Sequence, residues 1–386
     1  MPLVLKLAAR NLIYDKLRFA ATVIGIVFSI VLVTVQLGLF VSFERTVTIM
    51  IDHAPADLWI VPLATKCFED PSLLDEANRY RALSIEGVSQ VDPILVSFAQ
   101  WRMPDGGASL RGRRARRARR LVIGSDLRAG GLLPWNIVDG VVDALSIPDS
   151  VAVDRTYADR LGVKGIGDTA EMRDRRAEVR AVTSGIRSFT TTPYVFTQLD
   201  RARSYTGTPR TKATYLLVHL KPGTDVERFR RQLQSVLSKV EVLTPAEFSS
   251  RSRSFWLFGT GAGAALFAGA LLAMVVGSVV VAQTLYASTK EHLYEFATLR
   301  AIGSSGNYLH TVIIAQALLS AVAGFAIAVV IGLFVVRLTS NSALPVLMPP
   351  TLTVLLFLLT VLMCIISALS SIFKVMRMDP AMVFAR

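Results

Sequence analysis

Charged side chains vanish from the chain in four long stretches. Phe19–Phe43, Phe255–Ser288, Thr311–Val336 and Leu338–Phe373 contain no Asp, Glu, Lys or Arg. Each holds the ~20 apolar residues that a helix needs to cross a hydrocarbon core about 30 Å thick. Between the first two runs lies a polar segment of about 210 residues, long enough to bury a core of its own. There the pattern turns to short apolar runs at strand spacing: Asp57–Val61, Val91–Phe98, Arg120–Gly124, Ser150–Val153, Ala177–Thr183, Tyr194–Thr197 and Thr214–Leu220. Asp154–Leu161 and Val226–Leu237 read as helices between strands. Val226, Phe229, Leu233, Val236 and Leu237 line one face of the second, with Thr224 and Glu227 as a capping box. Val240–Leu243 then closes a β-α-β unit.

The pattern therefore predicts an α-helical membrane protein. Four transmembrane helices carry an α/β extracytoplasmic domain inserted between helices 1 and 2, built as one or two lobes. The expected limits are an N-terminal amphipathic helix over 1–18, spans at 19–43, 255–288, 311–336 and 350–373, and an inserted domain at 44–253. A cytoplasmic helix and turn at 289–306 and a tail at 374–386 complete the chain. In residues 1–18, Leu3, Val4, Leu7, Ala8 and Leu12 share a helical face, which suits a helix lying on the membrane surface; a charged leader that only sets topology fits equally.

Phe255–Arg300 organises the rest. Its 34 uncharged residues, Phe255–Ser288, would reach roughly 51 Å as one helix, well beyond the membrane. They run on into Thr289–Arg300, charged and helix-favouring, which stops at Ala301–Gly306. Small residues recur every four positions at Gly261, Ala265, Gly269, Ala273 and Gly277, and again at Ser320, Gly324, Ala328 and Gly332. Such rows let backbones approach closely where lipid offers no drive for association, here against another span or a second copy of the chain.

Composition agrees: 52% of the 386 residues are hydrophobic, 18% are charged and the mean hydropathy is +0.48. Lys6, Arg10, Lys16 and Arg18 precede the first span, and Lys374, Arg377 and Arg386 follow the last. The positive-inside rule then puts both termini in the cytoplasm, with the inserted domain outside. Seven arginines within Arg111–Arg120 would lie outside too, as a loop between strands. That loop either meets an acidic partner or anionic head groups, or is simply solvated; nucleic acid is not expected there. Cys67 and Cys364 fall in different parts of the chain, so no disulfide framework is expected.

Catalytic chemistry is hard to place. There is no G-x-x-x-x-G-K-[ST] loop, and His53, His219, His292 and His310 lack metal-ligand spacing. No acid or base interrupts a span, which argues against an ion-coupled carrier. The chain is expected to be non-catalytic, without cofactor or metal, its energy supplied by a partner.

The segment Glu295-Phe-Ala-Thr-Leu-Arg-Ala-Ile-Gly303, with Ala9–Leu12, Ile24–Ile26 and Asp379–Phe384, resembles the MacB/FtsX-like permeases of ABC transporters. Ala56–Trp59, Asp149–Asp154, Gly185–Tyr194 and Leu199–Ala202 are similar to the DevC branch of that family, permeases of a glycolipid exporter. The resemblance implies a homodimer working with ABC ATPase subunits that bind ATP and Mg, a periplasmic adaptor and an outer-membrane channel. It implies mechanotransmission: ATP-driven closure moves the second helices and reshapes the outer domains, expelling an amphipathic, glycolipid-like substrate. Glu291, Glu295 and Arg300 would make ionic contacts to the ATPase, Leu293, Phe296 and Leu299 its apolar side, and Gly303 would end the helix. Two other activities share this architecture: an FtsX-like signalling permease that activates an envelope enzyme, and lipoprotein extraction.

Overall fold

The computed structural model describes residues 8–10, 12, 14, 16–70, 72–102, 118–127, 130–188, 190, 192–291 and 306–376. Helix α1 (Lys16–Thr46) carries the first apolar run, and a turn at Val47–Thr48 separates it from the short α2 (Ile49–Asp52). The inserted domain continues with β1 (Leu58–Pro62), β2 (Leu74–Asp75), α3 (Ala77–Leu83), β3 (Val88–Arg102) and β4 (Ala118–Ser125). Next come β5 (Ile137–Gly140), β6 (Ser150–Asp154), α4 (Ala158–Leu161), β7 (Thr169–Met172), β8 (Arg175–Thr183) and β9 (Tyr194–Gln198). It closes with α5 (Leu199–Thr206), β10 (Lys212–Ala213), β11 (Tyr215–Leu220), α6 (Val226–Val236), β12 (Val240–Leu243) and α7 (Pro245–Ser254). Helices α8 (Ala262–Glu291), α9 (Gly306–Thr339) and α10 (Pro350–Met376) follow. Among the described residues, four helices are long and apolar enough to cross a membrane: Phe19–Thr46, Ala262–Thr284, His310–Thr339 and Pro350–Ser370. The mixed α/β domain lies between the first two, as the hydropathy pattern predicts.

Ten strands form one sheet in the order β12-β1-β11-β3-β4-β9-β6-β8-β5. Strand β7 pairs with both β3 and β8, so β3, β4, β9, β6, β8 and β7 close into a ring. Strands β11 and β12 flank β1, both antiparallel to it, so β11-α6-β12 is a β-α-β unit split by β1.

Alternation decides which core each side chain joins, because successive strand residues point to opposite faces. Ile94 and Val96 of β3, Leu121 and Ile123 of β4, Tyr194 and Phe196 of β9, and Trp59 and Val61 of β1 share one buried cluster. Their neighbours Leu95, Val122, Val151 and Val195 fill a second cluster, and Leu58, Ile60, Leu216 and Val242 a third. The sheet thus has one continuous face, while two separate packings cover the other. One lobe and two lobes are both half right.

Several local expectations change. Asp225, not Thr224, caps α6: its carboxylate accepts from Glu227 N and Arg228 N, while the Thr224 hydroxyl donates to Lys221 O. Arg119 and Arg120 belong to β4 and not to a solvated loop. Arg119 stacks on Phe98, and buried Arg120 donates to Arg160 O at 2.7 Å. The remainder of the arginine run lies outside the described residues. The short strands β2, β5, β7 and β10 carry too little apolar periodicity to announce themselves.

In the helical unit, α9 and α10 pack most closely on each other, and α1 touches α8, α9 and α10. The Ser29 hydroxyl of α1 donates to the Ala273 carbonyl of α8 at 2.7 Å. A Cβ added at Gly277 would run into Ser29 and lie 3.0 Å from Met363 Sδ; one at Gly324 would meet Ile26. Leu347 N reaches Gly38 O at 3.2 Å, and Ser367 of α10 reaches Ser278 O of α8 at 2.9 Å. Ala8 packs with Val312 and Ala315 of α9.

Two predictions follow from these contacts. Gly277→Leu overpacks the α1–α8–α10 contact and should cost about 1–3 kcal/mol, read as a lower melting temperature of the full-length protein in micelles. Exposed Ala265→Leu should change it little. The second prediction concerns His219, whose ring lies 3.3 Å from buried Asp92 and 3.0 Å from Gly130 O. The Asp92 hydrogen bond raises the His219 pKa above 6.5, against the opposing effect of burial. Its stabilisation is therefore full below pH 6.5 and lost as pH rises through the raised value. Melting temperature should fall over that rise, and His219→Gln should flatten the fall.

Candidate functional site

The two segments that connect the inserted domain to its neighbouring spans, α2 with the end of α1 and α7 with the entry to α8, meet on the continuous face of the sheet. Helix α7 starts at a capping box: Thr244 Oγ1 accepts from Glu247 N and Glu247 accepts from Thr244 N, with Pro245 at the first helical position. The helix buries Phe248, Ser249 and Ser252. Phe248 packs edge-on to Trp59 and Tyr215, with centroids 5.2 and 5.4 Å away, and shares their core with Met50 and Ile51 of α2.

Polar links tie the two segments directly. Ser249 donates to Asp52 Oδ1 at 2.8 Å, and Asp52 Oδ2 also holds Thr48 at 2.7 Å. Ser252 donates to Val47 O at 3.0 Å, and Arg253 pairs with Glu44 at 3.2 Å. Arg251 pairs with Glu241 of β12 at 2.6 Å, which anchors α7 to the sheet edge. The two segments are thus joined by direct side-chain contacts as well as by their shared core.

The apolar run that begins at Phe255 is not one helix. Phe255–Gly259 forms a π-helical turn, Gly261 adopts φ 73°, and α8 starts only at Ala262. A left-handed residue cannot continue a right-handed ladder, and glycine takes that conformation at least cost. The first seven residues of the run therefore belong to the inserted domain rather than to a 51 Å rod.

Trp256, on the π-turn, donates to Glu69 Oε2 at 3.2 Å, while the Tyr194 hydroxyl of β9 donates to Glu69 Oε1 at 2.8 Å. Glu69 keeps some surface exposure as a residue, but its carboxyl group points inward. The lost hydration raises its pKa above 4.5, with the Tyr194 and Trp256 donors pulling the other way. Its loop is wrapped around the Tyr215 hydroxyl, which lies 2.9–3.2 Å from the carbonyls of Cys67, Phe68 and Asp70. Burial and the nearby Glu69 push the Cys67 thiol up to about 12, so it is inert as a nucleophile.

Of the residues singled out from the sequence, Glu291 ends α8, and Leu293, Glu295, Phe296, Leu299, Arg300 and Gly303 lie outside the described residues. In the small-residue row, Gly261 is not helical and Ala265 is exposed within this chain. Gly269 abuts Gln36, Ala273 is buried, and Gly277 abuts Ser29. Glu69, Asp52, Ser249 and Trp256 escaped notice, since a lone carboxylate or serine in a loop or helix carries no periodic signal. Trp256 at the head of an apolar run was the one visible hint. Among the described residues no cluster of His, Cys, Asp and Glu has the make-up of a metal site.

Residues 19–236, more than half of the chain, match the MacB-like periplasmic core domain, and residues 267–380 match the FtsX-like permease C-terminal domain. The chain belongs to the MacB/FtsX-like permease family. It is thus a multi-pass membrane subunit of the ABC permease type. The inserted domain is similar to the periplasmic region of MacB from Actinobacillus actinomycetemcomitans, at 10% identity and TM-score 0.36, covering 51% of this chain and 92% of that one. It is also similar to the extracellular domain of the noncanonic ABC-type transporter YknZ from Gram-positive bacteria, at 13% identity and TM-score 0.34, covering 49% and 99%. No curated protein sequence matches this permease.

The junction's packing makes a direct prediction. Phe248→Ala should cost the permease about 3–5 kcal/mol by opening a cavity, against about 0.5–2 kcal/mol for Thr244→Ala, which removes only a cap. Thermal unfolding of the two full-length variants measures the ranking.

Proposed function

We propose that this permease couples ATP hydrolysis by a partner ABC ATPase to movement of its inserted domain, expelling an amphipathic, glycolipid-like substrate from the periplasmic face. In this reading the permease is a homodimer in a bacterial inner membrane with both termini cytoplasmic. It works with a periplasmic adaptor and an outer-membrane channel, and ATP and Mg are bound by the ATPase alone. The observation that supports it best is the double tie between the domain's two chain entrances, Asp52–Ser249 and Glu44–Arg253, on a shared aromatic core. A domain held this way moves as a body when its spans move, which is what mechanical transmission requires. Energy enters through the segment following α8, where Glu291, Glu295 and Arg300 face the ATPase with Leu293, Phe296 and Leu299 between them, and Gly303 ends the contact.

A second reading, an FtsX-like permease that signals to an envelope enzyme, is favoured by the match of residues 267–380 to the FtsX-like domain. Both readings need the ATPase contact. Glu295→Ala with Arg300→Ala should lower ATPase activity of the complex purified from native membranes by roughly tenfold if the coupling contact loses about 1.4 kcal/mol. Unchanged activity would remove the docking role. Co-purification separates the two readings: an adaptor with an outer-membrane channel supports export, and a peptidoglycan hydrolase supports signalling.

A further inference from the structure

Gly261 raises a mechanical difficulty. A left-handed glycine directly before the second span is a swivel, and a swivel absorbs displacement instead of passing it on. Two things limit its freedom on the domain side. The π-turn closes on itself, with Thr260 N bonded to Phe255 O at 3.1 Å and the Thr260 hydroxyl to Trp256 O at 2.6 Å. The turn is then fastened to the sheet at Trp256 through Glu69 and on to Tyr194, the first residue of β9. Strand β9 lies between β4 and β6 in the middle of the sheet.

We propose that Glu69 is a positioning residue of the transmission path: by bridging Trp256 to Tyr194 it fastens the π-turn to the sheet's central strand, so that motion arriving at Gly261 reaches the sheet. The inference rests on the coupling reading above and adds to it the side chain that makes the swivel usable. The bridge is a single carboxyl group that accepts from Tyr194 and Trp256, with the Cys67 thiol and its own backbone N–H also bonding it, and it makes no ion pair among the described residues. Charged and titratable groups around it come from every packed element: Cys67 and Asp70 on its own loop, Tyr194 on β9, Tyr215 on β11, and Lys66, whose ammonium lies 5.9 Å from the Phe255 ring. Cys67, Tyr194 and Tyr215 all have pKa values raised by burial, so they stay neutral where Glu69 changes charge.

A neutral carboxyl has one oxygen to accept from the indole and a hydroxyl to meet the tyrosine oxygen. An ionised one must hold a full charge in the same enclosed space. Since the folded-state pKa is raised above 4.5, the bridge's contribution is complete below pH 4.5 and declines as pH rises through the folded value. Glutamine has the same shape and no proton to lose, so Glu69→Gln should keep the bridge and remove its pH dependence.

The test uses the full-length permease alone in lipid nanodiscs, labelled with 5-fluorotryptophan. The Trp256 resonance is assigned by Trp256→Phe, and amide exchange is followed over 255–261. In the wild type, Trp256 should shift as pH rises above 4.5, and the turn's amides should lose protection with it, measured as exchange relative to the base-catalysed rate of an unstructured chain at each pH. Glu69→Gln should hold the low-pH position throughout. Glu69→Ala should release the turn, with exchange about tenfold faster at all pH values. Should Glu69→Ala fail to fold, Tyr194→Phe removes one arm of the bridge and should give an intermediate increase. The proposal is overturned if Trp256 and the 255–261 amides do not respond to Glu69→Ala or to Tyr194→Phe, or if Glu69→Gln behaves like alanine. No ATPase or cargo is present in these measurements, so a negative result leaves the coupling reading untouched, and a failure of that reading leaves the bridge standing.

Discussion

Everything in the inserted domain depends on one packing constraint: two chain segments that adjoin membrane spans must bury themselves on the same face of one sheet. Met50 and Ile51 from one side and Phe248 from the other enter a core built from Trp59, Tyr215 and Phe68. Aromatic side chains bring the most buried area per residue, and their edge-to-face contacts here also fix direction. The sheet then has no choice about its faces. Residues alternate, so once Trp59 and Val61 are committed to this core, Leu58 and Ile60 must find cover on the other side, which α3 and α6 provide.

Burying polar atoms beside such a core is costly unless each finds a partner. The junction meets most of that demand with short, reciprocal contacts, while the buried Trp59 Nε1 finds no partner among the described residues. Asp52 serves both Thr48 and Ser249, Ser252 takes up a carbonyl left at the turn after α1, and the Tyr215 hydroxyl sits among three loop carbonyls. The same bonds that satisfy the backbone at two breaks in helix therefore join the segments on either side of them. Structural necessity and mechanical linkage are here one set of contacts.

Much of this architecture was legible in the chain. The four spans follow from uncharged runs too long for anything else, and eight strands could be placed because Val, Ile, Leu, Trp and Tyr cluster at strand spacing. The family segments at Gly185–Tyr194 and Asp149–Asp154 fall on the loop before β9 and on β6, in the middle of the fold. The break at Gly261 was not legible, because hydropathy runs unchanged across it: Phe255–Gly259 is as apolar as the helix that follows. What distinguishes the two is φ at one glycine and the hydrogen bond of one indole, neither of which has a periodicity. The capping of α6 by Asp225 instead of Thr224 was missed for a related reason, since two adjacent residues both had capping chemistry and geometry chose the carboxylate.

Under the proposed coupling, that break alters how force passes through the permease. A continuous rod would transmit by stiffness alone, and every side chain along it would matter equally little. A helix interrupted by a left-handed glycine transmits only what its flanking contacts hold. On the domain side, among the described residues, these include the α7 ties to Asp52, Val47 and Glu44, and the indole of Trp256 on a carboxyl group that makes no ion pair there. A charged carboxylate paired to arginine would give a firmer joint, and Arg251 with Glu241 shows that the fold builds such a pair four residues before the π-turn begins. Burial raises the Glu69 pKa, so a joint made on that carboxyl group weakens as pH rises and is adjustable. Under the proposed coupling, in which the domain follows its spans in one state and is released in another, an adjustable joint is the better physical choice, because a contact that can never let go carries no information about the state of the helix behind it.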